Sequence, residues 1–508
     1  AVGDNSMLEV SIIDADGGKI TASRVITAGP IATADPTNHT VNVITRGSLT
    51  SALVNDAVNT GNTLIINGLL SGENTSGENI TGDWNVLRTF IKARTANIDL
   101  TLNNVEDVIN YALYDCQKLA SASMPNAISV GKCAFEKGSV LTAVSLPKVT
   151  SVGNWTFKNC TQLATVSLPN ATSVGGWAFE NCPLSSSVSL PKVAFVGEGT
   201  FLSTLLTTVS MPNLTSVGKS AFYGCSQLTN VSLPNATSLG ESAFAGCTKL
   251  TNVSLPNATF VGKGAFGNCT ALSTVDLPNA ESVGWAAFGG CSQLATVDLP
   301  NAVDIKQYSF SGCSQLATVS LPNVTSIEDC VFCYCSNLKN ADLPNATSVK
   351  YSAFENCTQL TTISLPKVTS VGNMAFKNCT ALTTIDLPKV TSVGNWAFYG
   401  CTHLTTIDLP NVVSVNSLAF EECTQLTTVS LPKVTSVGNM AFQNCSALTT
   451  LKLAAAGAID SFGYDVFLGV TTGSCDLYIG AAEIAAAADL PNKKWRVRTW
   501  KSISQYNL

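Results

Sequence analysis

Charge is scarce in this chain of 508 residues: Asp, Glu, Lys and Arg make up 12%, about half the ~25% of ordinary soluble domains. The net charge of −6 leaves no basic footprint, so nucleic acid is not an expected partner. Histidine is nearly missing, with only His39 and His403 present. There is no nucleophile elbow, phosphate-cradling glycine loop or zinc-spaced histidine pair. The acidic residues of the repeats described below do not converge on one spot. Catalysis is therefore not expected, and no cofactor or metal is implied. No apolar run approaches the ~20 residues that a membrane helix needs, so a membrane would be reached only through an anchor outside this chain. The chain opens on Ala1 with no charged-then-apolar leader, as a mature or trimmed form would.

Ser, Thr and Asn carry the polar load instead, and they do so periodically. The organising stretch is Leu141–Gln162, LTAVSLPKVTSVGNWTFKNCTQ. Its Leu-Pro or Met-Pro dipeptide recurs from Pro125 to Pro432 at steps of 22 residues, except Pro191 to Pro212, which is 21. A fixed period of this size means a solenoid, in which each unit buries its apolar face by stacking on its neighbours. Val144 and Leu146 alternate with Ala143 and Ser145, the period-2 signature of a half-buried strand. Pro147 removes a donor and ends the ladder. Val149 and Val152 turn inward, Gly153 stands where the chain must bend, and Phe157, Cys160 and Leu163 complete the buried set.

The ends differ from the middle. Residues 1–37 contain two strand-like runs, Leu8–Ile13 and Ile20–Ile26, and a linker punctuated by Pro30 and Pro36, and read as an edge hairpin or the remnant of an upstream module. Residues 38–102 alternate strand and helix without the 22-residue copy. Strands are expected near 41–44, 63–69 and 97–100, and helices over 49–58 and 83–93. This region is expected to cover the N-terminal end of the stack, whose regular repeats occupy 103–453; residues 454–508 form a degenerate last repeat and a C-terminal cap. Lys493, Lys494, Arg496, Arg498 and Lys501 alternate with Trp495, Val497 and Trp500, which reads as a capping strand with one charged face.

The pattern L-x-x-[VI]-x-L-P-x-[AV]-x-[SF]-[VIL]-[GE]-x-x-[AT]-F-x-x-C resembles the leucine-rich repeat of the BspA-like (treponemal-type) surface proteins of Bacteroidetes. The likeness covers roughly residues 103–480. Residues 40–102 resemble the family's irregular N-terminal cap, and Leu477–Ile479, Ala481–Leu490 and Trp495–Ile503 its closing strand, short helix and final strand. The resemblance implies a secreted or outer-membrane-anchored protein used for adhesion or protein binding. Repeat and resemblance together predict a single α/β-type leucine-rich repeat solenoid, a right-handed curved rod with a parallel sheet on its concave face and a cap at each end.

Of the eighteen cysteines, those equivalent to Cys160 occupy one column. Neighbours there have parallel Cβ vectors, which suit a disulfide torsion badly, so they read as small buried hydrophobes. Cys133 and Cys330 leave the column two residues before the repeat's Phe, where other copies carry outward residues, Cys333 falls just after that Phe, and Cys475 lies in the degenerate end. Cys330-x-x-Cys333-x-Cys335 looks like a metal clip but lacks a histidine and a fourth ligand. It reads as a thiol cluster, with a local Cys330–Cys333 disulfide left open.

Two surfaces are candidates for binding. On the sheet, the position before Leu-Pro is Ser in most copies but Asp at Asp276, Asp298, Asp342, Asp386 and Asp408. These aspartates form either a solvated face or an acidic groove for a basic partner. The two positions before Ala-Phe hold Trp155, Trp177, Trp285, Tyr308, Tyr351 and Trp396, with Met374 and Met440. Such a row can bind protein or stack on sugars, or each ring can lie flat and shield its own turn. His403 occupies a loop position held by Gln162 and Ala271 in sister copies and reads as a surface substitution. The expected role is noncatalytic adhesion to a host or bacterial surface or matrix protein, by a monomer outside the cell or on the outer-membrane surface. Glycan binding through the aromatic row and a purely structural spacer are the rival readings.

Overall fold

A computed structural model describes residues 7–13, 19–25, 39–43, 63–68, 70–184, 188–453, 459–481, 494–495 and 498–506. The helix expected over 49–58, the Pro30–Pro36 linker and most of the segment 481–490 lie outside the described residues. The chain is a parallel β-solenoid with a rung every 22 residues or so. It divides into two compact units, Ala1–Leu250 and Thr251–Leu508.

In the first unit, Met7–Ile13 and Lys19–Val25 pair as an antiparallel hairpin. Met7–Ile13 is also antiparallel to His39–Val43, so the hairpin extends the sheet that leads into the repeats. From there every neighbour is parallel: Thr63–Gly68, Ile98–Leu102, Leu119–Ser123, Ala143–Ser145 and Thr165–Ser167. The helix Gly82–Ala93 lies between two of these strands and buries Trp84, Leu87, Phe90 and Ile91. Their spacing of three and four residues places them on one face. Asp83 in its first turn accepts a hydrogen bond from the Ser71 N–H at 2.8 Å. This tethers the helix start to the segment before it and places a carboxylate where the helix dipole favours one.

Each regular rung has two strand segments and a string of turns. Ala143–Ser145 pairs with Thr165–Ser167, and Ser151–Val152 pairs with Ser173–Val174. Beyond them the backbone bonds alternate in direction. The N–H groups of Thr150 and Gly153 reach back to Ile128 and Val130, and those of Trp155, Phe157 and Asn159 reach forward to Gly176, Ala178 and Glu180. Turns therefore satisfy their backbone against the next rung, as strands do.

Left-handed backbone recurs at two places in these turns. One is two residues before the phenylalanine: Trp155 (φ 56°), Trp177 (φ 52°), Ser220 (φ 52°), and Tyr308 (φ 62°) in the second unit. The other is the residue before the column cysteine, Asn159, Asn181 and Gly224 among them, where Asn and Gly are the types that tolerate it. Gly153 is not left-handed. A Cβ there would lie 2.6 Å from the backbone nitrogen of Lys132, so glycine is required by the close approach of the rungs rather than by the bend.

The second unit repeats this plan from Asn252–Ser254 to Thr450–Leu453. It closes with Asp476–Ile479 and Ser502–Gln505, parallel to one another. The expected final strand over 495–503 is broken, because Lys494–Trp495 folds back antiparallel on Arg498–Thr499. Trp500 then turns inward, edge-on to Phe467 at 5.2 Å. Lys501 pairs with Asp476 at 2.9 Å.

The core is a set of columns. In the first unit Phe135, Phe157, Phe179, Phe201, Phe222 and Phe244 stack near-parallel at centroid distances of 4.9 to 5.3 Å. The second unit carries the same stack from Phe266 to Phe467 at 5.1 to 5.9 Å. These spacings fall in the favourable offset-stacking range. Phe354 is fully buried with a ring on either side. Phe354→Ala is expected to cost about 3–5 kcal/mol, read as a shift of the urea unfolding midpoint and as faster hydrogen exchange in the rungs beside it.

Candidate interaction surfaces

Most of the polar surface is already engaged by the stack itself. The asparagine after each proline reaches back one rung: Asn170 Nδ2 donates to the Pro147 carbonyl at 2.7 Å, and Asn323 Nδ2 to the Pro300 carbonyl at 2.7 Å. Where lysine replaces it, Lys148 and Lys367 donate instead to the side chains of Asn126 and Asn345. Threonines form further ladders, as when Thr172 donates to the Thr150 carbonyl at 3.0 Å and Thr427 to that of Thr405 at 3.0 Å. His403 joins one of them, its Nδ1 lying 2.7 Å from the Thr380 carbonyl. A Ser/Thr/Asn-rich face here is the lining of a hydrogen-bonded stack, and few of its groups remain for a ligand.

All eighteen cysteines are free and buried. Column thiols are not merely small hydrophobes. Cys160 Sγ donates to the Phe135 carbonyl at 3.1 Å, and Cys379 Sγ to the Phe354 carbonyl at 3.2 Å, one rung back in each case. The shortened repeat has Thr204 in this column, and its hydroxyl donates to Phe201 O at 3.0 Å and meets Cys225 Sγ at 3.2 Å. Burial pushes Cys116, Cys160 and Cys445 up to about 12. Cys133 and Cys330 fall at an outward position of the repeat but are buried, at 3 and 6% exposure, and Cys333, just after the phenylalanine, is buried at 2%. A tyrosine of the preceding rung, Tyr111 or Tyr308, lies beside the Cys133 and Cys330 thiols.

The aspartates stay on the strand face, and all five are exposed. Asp276 and Asp298 sit on consecutive rungs, as do Asp386 and Asp408, while Asp342 lies between Ser320 and Ser364. Three of them already accept a serine hydroxyl from the preceding rung: Ser254 to Asp276 at 3.2 Å, Ser320 to Asp342 at 3.5 Å and Ser364 to Asp386 at 3.4 Å. A shallow groove of about 540 Å³ runs over Thr362, Ser364, Thr384, Asp386 and Asp408. No aromatic or arginine side chain lines it.

The aromatic positions differ in exposure. Trp155 and Trp177 are half-buried and stacked, with centroids 5.3 Å apart and planes at 6°. Lys132 Nζ covers Trp155 at 4.8 Å. A Cβ at Gly199 would lie 2.5 Å from Trp177 Cδ1, so the far side of that indole rests on bare backbone. Both ring faces of the pair are taken, and the two tryptophans shield their own turns. Trp396 is likewise half-buried. In the second unit Trp285, Tyr308 and Tyr351 are exposed by 45, 38 and 45%. Trp285 and Tyr308 meet at 5.7 Å with planes tilted by 55°, and Lys263 Nζ lies 5.4 Å from the indole.

The family of the BspA type leucine rich repeat region matches residues 88–204, 194–316, 259–382 and 347–472, more than half of the chain. The chain belongs to the BspA-type leucine-rich repeat family. A leucine-rich repeat protein from Bacteroides ovatus is similar at 26% identity, covering 68% of this chain and 82% of its own, with a TM-score of 0.47. A leucine rich cell surface protein from Faecalibacterium prausnitzii is similar at 20% identity over 85% of this chain and 95% of its own, with a TM-score of 0.34. The pneumococcal vaccine antigen PcpA is similar at 14% identity over 75% and 99%, with a TM-score of 0.38. No curated protein matches. Among the described residues no helix is long and apolar enough to cross a membrane.

Several exposed aromatics of this BspA-type chain escape the repeat logic. Tyr334 is 57% exposed with φ 62°, at the position before the column cysteine where Gly312 and Asn356 stand in adjacent rungs. That misfit was available in the alignment of copies. Phe195 and Phe260, exposed by 54 and 46%, replace the serine of the short strand, and a pattern that admits Ser or Phe there conceals them.

Three column thiols, Cys116, Cys160 and Cys445, carry a pH dependence. Their folded pKa values lie above the ordinary thiol value of 9.0, so the neutral form is favoured by folding. The stability this contributes is complete below pH 9.0 and is lost as pH rises toward about 12. Denaturant titrations are expected to show a falling unfolding free energy across that window. At about pH 8 a thiol reagent should label the column only after unfolding.

Proposed function

We propose that this chain is a noncatalytic protein-binding scaffold displayed outside a bacterium, used for adhesion to a host or microbial macromolecule. Trp285, Tyr308 and Tyr351 would make the principal contacts. The observation that carries this reading is their exposure on stiff, stacked rungs whose other polar groups are engaged by neighbouring rungs. Aromatic residues of this size dominate binding hot spots, and leaving them in water without a partner is unfavourable. The cluster has a polar rim: Lys263 over Trp285, the Lys306–Asp304 pair at 2.9 Å, and Asp329, which accepts the Tyr351 N–H at 3.1 Å. A central aromatic group with charged surroundings suits a protein surface.

The tilt of 55° between Trp285 and Tyr308 gives no flat platform for a sugar ring, which favours a protein partner over a glycan. The family supports display outside the cell. The acidic strand face is a weaker candidate, because serine hydroxyls occupy three of its five carboxylates.

The test is binding of the full chain to arrays of matrix and bacterial surface proteins and of glycans. Trp285→Ala and Tyr308→Ala are each expected to weaken a protein contact by at least about tenfold, or ~1.4 kcal/mol. Loss confined to glycans, or no ligand on either array, would count against this function. Trp155→Ala, by contrast, is expected to leave binding unchanged and to lower stability by about 1 kcal/mol or more. The stacking is lost there and the left-handed backbone is not relieved, since alanine keeps its Cβ.

A further inference from the structure

The rung that departs most from the repeat is Cys330-Val331-Phe332-Cys333-Tyr334-Cys335. Its last cysteine does what column cysteines do, donating to the Phe310 carbonyl at 3.2 Å. The first two do something else. The Cys333 N–H bonds the Cys330 carbonyl at 3.3 Å, so the pair closes a single turn. The ends of such a turn lie within about 7 Å, the span across which a disulfide forms without moving the backbone. Tyr308 of the preceding rung lies beside Cys330, and the Ser311 hydroxyl lies 3.0 Å from Cys333 Sγ. In the next rung the Ser352 hydroxyl is fully buried and has no hydrogen-bond partner. The Cys330 N–H bonds the Tyr351 carbonyl at 2.9 Å, which sets Ser352 beside Cys330.

The chain supplies its own contrasts. Column thiols point at a phenylalanine carbonyl one rung back, with neighbouring Cβ vectors parallel. Cys133 occupies the same rung position as Cys330, with the same left-handed backbone (φ 54° against 56°) and a tyrosine of the preceding rung beside it. Where Cys330 has Cys333 three residues on, Cys133 has Glu136.

We propose that Cys330 and Cys333 form a dithiol site for thiol–disulfide exchange with a small-molecule or protein disulfide. Cys330, the more exposed of the two at 6%, attacks as the thiolate, with Tyr308 beside it. It forms a mixed disulfide and releases one thiol of the reagent. The Cys333 thiolate then attacks Cys330 Sγ in that mixed disulfide, forms the Cys330–Cys333 bond and expels the second thiol. Overall one disulfide and two cysteine thiols become one cysteine disulfide and two reagent thiols. The reagent is reduced by two electrons and takes up both protons. Burial raises both thiols above their ordinary range, so the exchange is slow at neutral pH and quickens in alkali. Closure also removes the thiol beside Tyr308, at the edge of the Trp285 cluster. The site does not depend on that cluster's having a binding partner.

The full native chain is incubated with mixtures of oxidised and reduced glutathione at mildly alkaline pH, quenched by alkylation and mapped by peptide mass spectrometry. The expected product has lost two hydrogens, located at Cys330 and Cys333. The column thiols should be alkylated only after denaturation, and Cys133 should carry no internal disulfide. Cys333→Ser should trap glutathione on Cys330, because the resolving thiol is gone, while Cys330→Ser should leave Cys333 unmodified. The wild-type map needs no variant to fold. Absence of the Cys330–Cys333 bond at every glutathione ratio would overturn the proposal. So would oxidation spread evenly over the column cysteines.

Discussion

The column phenylalanines are buried, and a buried carbonyl short of its hydrogen bonds is expensive. In this chain each of these carbonyls accepts the N–H of its own rung's column residue, as in Cys160 to Phe157 at 3.1 Å, and its second donor is the thiol of the following rung, as in Cys182 to Phe157 at 2.9 Å and Cys401 to Phe376 at 3.2 Å. Sulfur is a weak donor, but it is small and apolar enough to share a column with phenylalanine. Where the repeat shortens, Thr204 stands in the column and its hydroxyl donates to the Phe201 carbonyl of its own rung. The proline carbonyl receives the next rung's asparagine, and the Gly131 and Gly153 carbonyls receive the Thr156 hydroxyl. Each rung is completed by its neighbour, so no rung is satisfied alone. This is the physical content of nearest-neighbour stability in a repeat protein.

That dependence decides what the surface can do. A threonine or asparagine that bonds to the adjacent rung cannot also recognise a ligand without uncovering a backbone group. The long Ser/Thr faces are accordingly stiff and chemically quiet. Positions free to vary are those whose side chains leave the ladders: the residue two before phenylalanine, the one before that, and the residue preceding the column cysteine. Trp155 and Trp177 use this freedom to cover their own turns, while Trp285, Tyr308, Tyr334 and Tyr351 use it to stand in solvent. Several of them hold a bulky side chain on left-handed backbone, which costs about 1–2 kcal/mol relative to glycine. The stacked rungs on either side hold that conformation in place.

A strict period in the sequence is enough to predict a parallel stack, because residues 22 apart can share an environment only by lying one above another. The Phe, Cys, Leu and Val columns were legible for that reason, as were the helix near 83–93 and the strands that flank it. Gly153 was legible as a bend but not as a close approach, since only the stacked backbones place Lys132 N near its missing Cβ. The burial of Cys133 and Cys330 was hidden too. Their repeat position faces outward, and it takes a tyrosine of the preceding rung to bring each thiol under cover. The candidate aromatics could be named from the sequence, yet their exposure could not be ranked, because it depends on what the adjoining rungs supply: Lys132 covers Trp155 and Gly199 lies against Trp177, while Trp285, with Lys263 nearby, stays 45% exposed. Periodicity alone determined the fold, since it acts on every copy alike. Which side chains remain available was decided by single neighbours across the rungs, and those contacts exist only once the stack has formed.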